Sequence, residues 1–188
     1  MEFYTPGILR LPASVVTIGA LDGVHKGHQA LLSKAKEQAE KFGVPFVVYT
    51  FDPPPKVFFK KGQMISTLEE KLKRIKALGA NYVIVGRFNE MFMGKSVSSF
   101  IEELKLLNPV EIWEGPDFKF GKNRKGTIDD LMEHFTVNVL KALQCEQGEL
   151  ISSTRIRNLI QQGDYSLAQS LLGDISHLSS LSIKNYVI

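Results

Sequence analysis

The chain has 188 residues, 23 Lys plus Arg against 20 Asp plus Glu, and a formal net charge of +3. Its 44% hydrophobic and 23% charged content excludes a disordered polypeptide, and its length is that of one ordinary domain with a sizeable core. A pI near 8.9 rests on three excess charges and implies no nucleic-acid partner, one cysteine (Cys145) excludes an internal disulfide or cysteine-built zinc site, and no run approaches the ~18 apolar residues of a membrane span. In chain order, Met1-Glu2-Phe3-Tyr4-Thr5-Pro6 lacks the basic-then-apolar pattern of a signal peptide, so a cytoplasmic location is expected. Val15-Val16-Thr17-Ile18 reads as a buried strand ending at Gly19, and Leu31, Leu32, Ala35 and Ala39 recur at helical spacing after Gly27. Phe46-Val47-Val48-Tyr49-Thr50 is a second strand, stopped by Pro53-Pro54-Pro55. Thr67 with Glu70 forms a capping box that opens a helix through Leu72, Ile75 and Leu78, closed by Gly79. Strand Tyr82-Val83-Ile84-Val85, a helix over 96–107 and strand Val110-Glu111-Ile112-Trp113 follow, with Gly115 after the last. A short helix around 127–134, a strand around 136–140 and helices over 154–162 and Tyr165–Leu172 complete the pattern. Strands alternating with helices predict an α/β fold, a mostly parallel sheet covered on both faces, whose strand ends gather along one edge.

The chemistry concentrates at two predicted helix starts. The first is Gly19-Ala20-Leu21-Asp22-Gly23-Val24-His25-Lys26-Gly27-His28, where Gly19, Gly23 and Gly27 allow close approach and the helix N–H groups favour phosphate. His25 and His28, three apart, are placed to reach one spot, where imidazoles donate to phosphate oxygens and stabilise charge developing on a transferring group. Taken alone, the segment reads equally as a glycine turn with two surface histidines. A metal site is the weaker reading, because His134 and His177 fall in predicted surface segments and no carboxylate stands at zinc-motif spacing. Neither a P-loop nor Gly-x-Gly-x-x-Gly is present. The second start is Ile151-Ser152-Ser153-Thr154-Arg155-Ile156-Arg157, in which one hydroxyl serves as an N-cap and the cluster with Arg157 makes a polyphosphate cradle.

Together, His-x-Gly-His and Ile-Ser-Ser-Thr-x-x-Arg resemble the nucleotidylyltransferase superfamily. With Thr50-Phe51-Asp52-Pro53-Pro54-Pro55 and Gly115-Pro116-Asp117-Phe118-Lys119-Phe120-Gly121, the chain resembles more narrowly the FMN adenylyltransferase domain of prokaryotic riboflavin kinase/FAD synthetases. The similarity runs from Val15 to Gly173 and implies a Rossmann-like fold over residues 1–175, ending in a helical segment, with a tail over 176–188. It implies transfer of AMP from ATP to FMN with release of pyrophosphate and Mg²⁺ held mainly through the ATP phosphates. On this resemblance His25 and His28 bind ATP phosphates and stabilise the transition state. Ser153, Thr154 and Arg157 hold the β- and γ-phosphates, and Asp117 stands at a site position whose duty is open. Gly19, Asp22, Gly23, Gly27 and Ser152 join the ATP site; Phe51, Pro53, Phe118 and Phe120 join the FMN site. Asp22 alternatively stabilises its turn, and most phenylalanines, including Phe58 and Phe59, also suit the core. Lys119, Lys122, Arg124 and Lys125 either guide the anionic substrates or form a solvated loop. Leu21, Pro54 and Pro116 depart from the family pattern, where Phe and His usually replace the first two. Bifunctional relatives continue into a riboflavin kinase barrel for which the tail has no room, so the expectation is adenylyl transfer alone. The rival readings are another phosphate-ester acceptor and a flavin- or nucleotide-binding relative without catalysis.

Overall fold

Apolar runs such as Val15-Val16-Thr17-Ile18 have no polar face, so both of their sides need covering, and a parallel sheet between helices supplies that. A computed structural model, which describes residues 1–173, has this arrangement. Six strands, β1 (Glu2–Tyr4), β2 (Ser14–Ile18), β3 (Phe46–Asp52), β4 (Tyr82–Arg87), β5 (Pro109–Glu114) and β6 (Val137–Val139), form one sheet in the order β1-β4-β3-β2-β5-β6. Every neighbouring pair is parallel. The helices are α1 (Lys26–Phe42), α2 (Pro55–Phe58), α3 (Leu68–Ala77), α4 (Glu90–Met93), α5 (Val97–Lys105), α6 (Ile128–Met132), α7 (Ser153–Gln161) and α8 (Tyr165–Leu172).

Alternation along the strands divides the core. Val15, Phe46, Val48 and Val83 pack with Leu32, Ala35 and Ala39 of α1 and Ile75 of α3 on one face. Val16, Ile18, Val47, Tyr49, Ile84 and Ile112 pack with Phe100, Ile101 and Leu104 of α5 and Leu131 of α6 on the other. A smaller third cluster joins Ile65 and Ile151 to α7 and α8 through Ile156, Ala168, Leu171 and Leu172. The chain passes from β2 outward to β3 and β4, then returns to place β5 on the other side of β2. That reversal opens a crevice beyond the carboxyl ends of β2 and β5, where ligands of open α/β sheets bind.

The expected elements are present, with shifts at their ends. The Thr67–Glu70 capping box opens α3, and Gly79, at φ +85°, follows its last turn. β3 extends to Asp52 rather than Thr50, because Phe51 and Asp52 pair with Gly86 and Arg87 of β4. The proline run stops that strand but also starts α2: Pro55 occupies the first turn, where its missing N–H costs nothing. The three-residue β1 at the sheet edge and the one-turn α4 have too little periodicity to be read from sequence. The tail over 176–188 and His177 lie outside the described residues.

Candidate active site

The loop from Gly19 to His25 carries the first strand into α1. The Gly19 N–H continues the ladder to the Tyr49 carbonyl at 2.9 Å, and Leu21 and Val24 take positive φ in the turn. His25 is the N-cap of α1: its Nδ1 accepts the His28 backbone N–H at 3.3 Å. In the neutral ring the proton then resides on Nε2, which is left as a donor. The two imidazoles stack with centroids 3.6 Å apart, so they occupy one spot as the spacing predicts. Burial drives the His25 pKa down to about 4, and burial together with His25 and Lys71 holds His28 well below its ordinary value. Both are neutral near pH 7. The His28 Nδ1 is buried with no hydrogen-bond partner among the described residues.

The glycines of this loop make room for the protein itself. A Cβ at Gly23 falls 2.7 Å from Ile65 Cγ2 and 2.9 Å from Leu172 Cδ2, and one at Gly27 falls 3.2 Å from the His25 ring. Asp22 is buried and accepts the N–H groups of Ile65 and Ser66 at 3.1 and 3.2 Å. It also pairs with Arg157 Nη2 at 2.5 Å, while Arg157 Nε donates to the Gln63 carbonyl at 2.7 Å. Thus Asp22 organises its turn and a second loop, and the Arg157 guanidinium is held against the carboxylate with Nη1 unpartnered among the described residues. At the start of α7, Ser152 caps the helix by accepting the Arg155 N–H at 3.2 Å, and Ser153 Oγ donates to the Asp22 carbonyl at 3.1 Å. Thr154 Oγ1 accepts from Lys56 of α2. The two predicted phosphate-binding starts therefore meet.

Beyond β5, Gly115-Pro116-Asp117-Phe118 is a turn closed by the Phe118 N–H on the Gly115 carbonyl at 3.2 Å, and Pro116 falls inside it, where no N–H is needed. Asp117 is exposed. Just before it, Glu114 is 1% exposed and accepts the Ile18 N–H at 2.8 Å. Burial pushes the Glu114 pKa well above the usual carboxylate range against the opposing pull of that hydrogen bond, and Asp117 adds to the rise. Lys71 of α3, also 1% exposed, spans the ends of β2 and β3 by donating to the Ala20 and Phe51 carbonyls at 3.2 and 2.6 Å. Its pKa falls to about 8 through burial, opposed by Asp52 and Asp22.

Next to this cradle lies a cavity of about 510 Å³, within the range of small-molecule sites. Phe51, Phe118 and Phe120 line it as the sequence predicts, joined by Phe59, Phe88 and Phe92. Pro55 rather than Pro53 is at the wall, and Lys119 and Arg124 are the members of the basic stretch that reach it. Lys56 lines the cavity and bonds Thr154, which joins cavity to cradle. Partial desolvation lowers its pKa, with Arg157 and Arg124 adding and Asp117 opposing. Sequence reading passed over Lys56, Phe88 and Phe92; the one available signal was the density of phenylalanine between residues 51 and 100.

Neutral imidazole donors beside helix-end amides suit oxygens whose charge shifts as a phosphoryl group moves. Set at the switch point of a parallel sheet, they fit a nucleotidylyltransferase, the fold class of the family that the chain matches. A family model described as FAD synthetase matches residues 9–155, and the chain belongs to that family. It is 48% identical over 165 residues to a putative bifunctional riboflavin kinase/FMN adenylyltransferase of Geobacillus thermodenitrificans, covering 88% of this chain and 92% of that one. The bifunctional riboflavin kinase/FMN adenylyltransferases of Bacillus subtilis and Escherichia coli K12 are 38% and 37% identical over 85% of this chain. Of those two proteins the chain spans about half the length, 53% and 54%. A crystal structure described as a macrolide-efflux protein from Streptococcus pneumoniae superposes with a TM-score of 0.81 at 31% identity, over 92% of this chain and 61% of that one. Among the described residues no helix is long and apolar enough to cross a membrane.

Proposed function

We propose that the protein transfers AMP from ATP to FMN, forming FAD and pyrophosphate, in the cytoplasm where both substrates occur. The observation that carries this reading is the continuity of the aromatic cavity with the phosphate cradle through Lys56. A flat, largely apolar ring system suits the phenylalanine walls, and its phosphate tail then reaches the cation that bonds Thr154. The FMN phosphate oxygen attacks the ATP α-phosphorus, a new P–O bond forms, and the bond to pyrophosphate breaks. Two anions must be brought together for this, so positioning and charge compensation are the protein's main work. Lys56 lowers the repulsion between the acceptor phosphate and the α-phosphate. His25 and His28 donate to oxygens on which charge grows, and the N–H groups opening α1 and α7 with Ser153 and Thr154 hold the outgoing phosphates. Arg157 contributes positive charge from its buried pairing with Asp22. Among the described residues no group of three or more His, Cys, Asp or Glu side chains forms a metal site. Mg²⁺ fits this reading as part of the nucleotide substrate, held by its phosphates.

Purified protein offered FMN, ATP and Mg²⁺ is expected to yield FAD and pyrophosphate by chromatography. His28→Ala should lower kcat roughly 10²-fold, the usual loss when a donor to developing charge is removed. Lys56→Met should lower kcat/KM about tenfold or more. No FAD from the wild-type protein refutes the reading, and an unchanged kcat in the histidine variant refutes the role of His28.

A further inference from the structure

Seven phenylalanines line the cavity, and of the cations that line it with them Lys95 is partly buried where Lys56, Lys61, Lys119 and Arg124 are exposed. Lys95, which follows α4, lines the cavity with its ammonium 5.4 Å from the Phe92 ring centroid and 5.9 Å from that of Phe100. It is ion-paired with Glu103 of α5, and the two side chains are only 22% and 12% exposed. The other Glu103 oxygen accepts the Tyr49 hydroxyl at 2.6 Å. Burial, with Glu103 adding, drives the Tyr49 pKa far above its ordinary value, so the phenol remains a neutral donor that fixes Glu103 in place. The chain Tyr49–Glu103–Lys95 thus runs from the core of the sheet to the cavity wall.

Both Glu103 carboxylate oxygens are engaged, whereas the ammonium has three donors and Glu103 is its hydrogen-bond acceptor among the described residues. A half-buried ion pair is a poor way to stabilise a fold, since apolar side chains of similar size usually serve as well or better. Its value lies in what the spare donors meet. An all-carbon ring offers an ammonium at the wall no hydrogen-bond acceptor, but a flat ring with carbonyl acceptors along one edge gains charge-assisted hydrogen bonds while its faces meet phenylalanine.

We propose that Lys95, held by Glu103 and Tyr49, is a specificity-determining residue that donates to the carbonyl edge of the flavin ring. This rests on the assignment of the cavity to FMN. Toward the cradle the cavity has its own cations in Lys56, which bonds Thr154, and Arg124, whose charge acts on Lys56. Lys95 therefore acts on the ring, and the same contact should serve riboflavin, which has the ring without the phosphate.

The test is equilibrium binding of FMN and of riboflavin, followed by flavin fluorescence, to the wild-type protein, Lys95→Met and the double variant Lys95→Met/Glu103→Gln. The double variant removes the stranded carboxylate charge and leaves an acceptor for Tyr49, so it keeps the test valid if the single variant folds poorly. Lys95→Met is expected to weaken both flavins by the same factor of about ten, and the double variant to show the same loss. Loss for FMN alone marks a phosphate contact and overturns the proposal, as does unchanged binding of both. Wild-type affinity in the double variant also overturns it, because the single loss would then come from the unpaired Glu103. A wild-type protein that binds neither flavin defeats the FMN assignment itself, and the role of Lys95 with it.

Discussion

Glu114 ends β5 as a carboxylic acid sealed from solvent, with the Ile18 N–H as its partner. Its folded-state pKa lies above its ordinary value, so the folded protein keeps a proton that the unfolded chain gives up. Stability from this group is therefore complete at low pH and declines as pH rises from 4.5, the unfolded value, towards the raised folded one. Gln preserves the acceptor and cannot ionise. Glu114→Gln should raise the melting temperature at pH 8 by more than at pH 5, and an equal shift at both would remove the buried-acid account. At this scale the sequence was uneven. His25 and His28 were legible because their spacing and the surrounding glycines form a local pattern, and their stacking at 3.6 Å follows from it. Glu114 was not, because Glu before Gly at a strand end reads as a solvated terminus, and its partner is the N–H of Ile18 in β2, 96 positions away.

Among the elements, α3 shows how surface-like spacing conceals a structural role. Leu68-Glu69-Glu70-Lys71-Leu72-Lys73-Arg74 reads as a capped amphipathic helix with charged outer positions, and the capping box was correctly legible. Yet Lys71 points inward and bonds the carbonyls of Ala20 and Phe51, tying the histidine loop to the strand that enters the cavity. Its folded pKa of about 8 is below the 10.5 of the free side chain, so the unfolded chain binds more protons between those values. The cost of burying the charge is full below pH 8 and is relieved as pH rises to 10.5. Denaturant midpoints should accordingly show the wild type gaining on Lys71→Met across that interval; parallel curves would mean Lys71 is not buried as a cation. The short α2 was illegible for a related reason. Proline is a breaker inside a helix but acceptable in its first turn, and this one turn is what delivers Lys56 to Thr154.

At the level of the whole molecule, the parallel sheet and its two helical layers were legible from periodicity alone, while the closing of the site was not. That closing depends on contacts between remote segments, and Gly23 marks their meeting point. At φ +78° it lies against Ile65 of the loop before α3 and Leu172 of α8. Gly23→Ala adds a left-handed conformation for a non-glycine residue to an overlap with two packed side chains, with an expected loss of about 2–3 kcal/mol in denaturant unfolding. A loss under about 0.5 kcal/mol would show that the segments shift freely.

Asp22 and Arg157 stand 135 positions apart and form one buried pair, and Ser153 reaches back to the Asp22 carbonyl. The last strand of the sheet ends at Val139, before any residue of α7. As the chain leaves the ribosome, then, all six strands are available while half of the proposed phosphate cradle is still unmade. The nascent protein can acquire its sheet before the Asp22–Arg157 pair exists, and on the proposed reading the capacity to hold a nucleotide comes only when α7 emerges to fold back on the first turn.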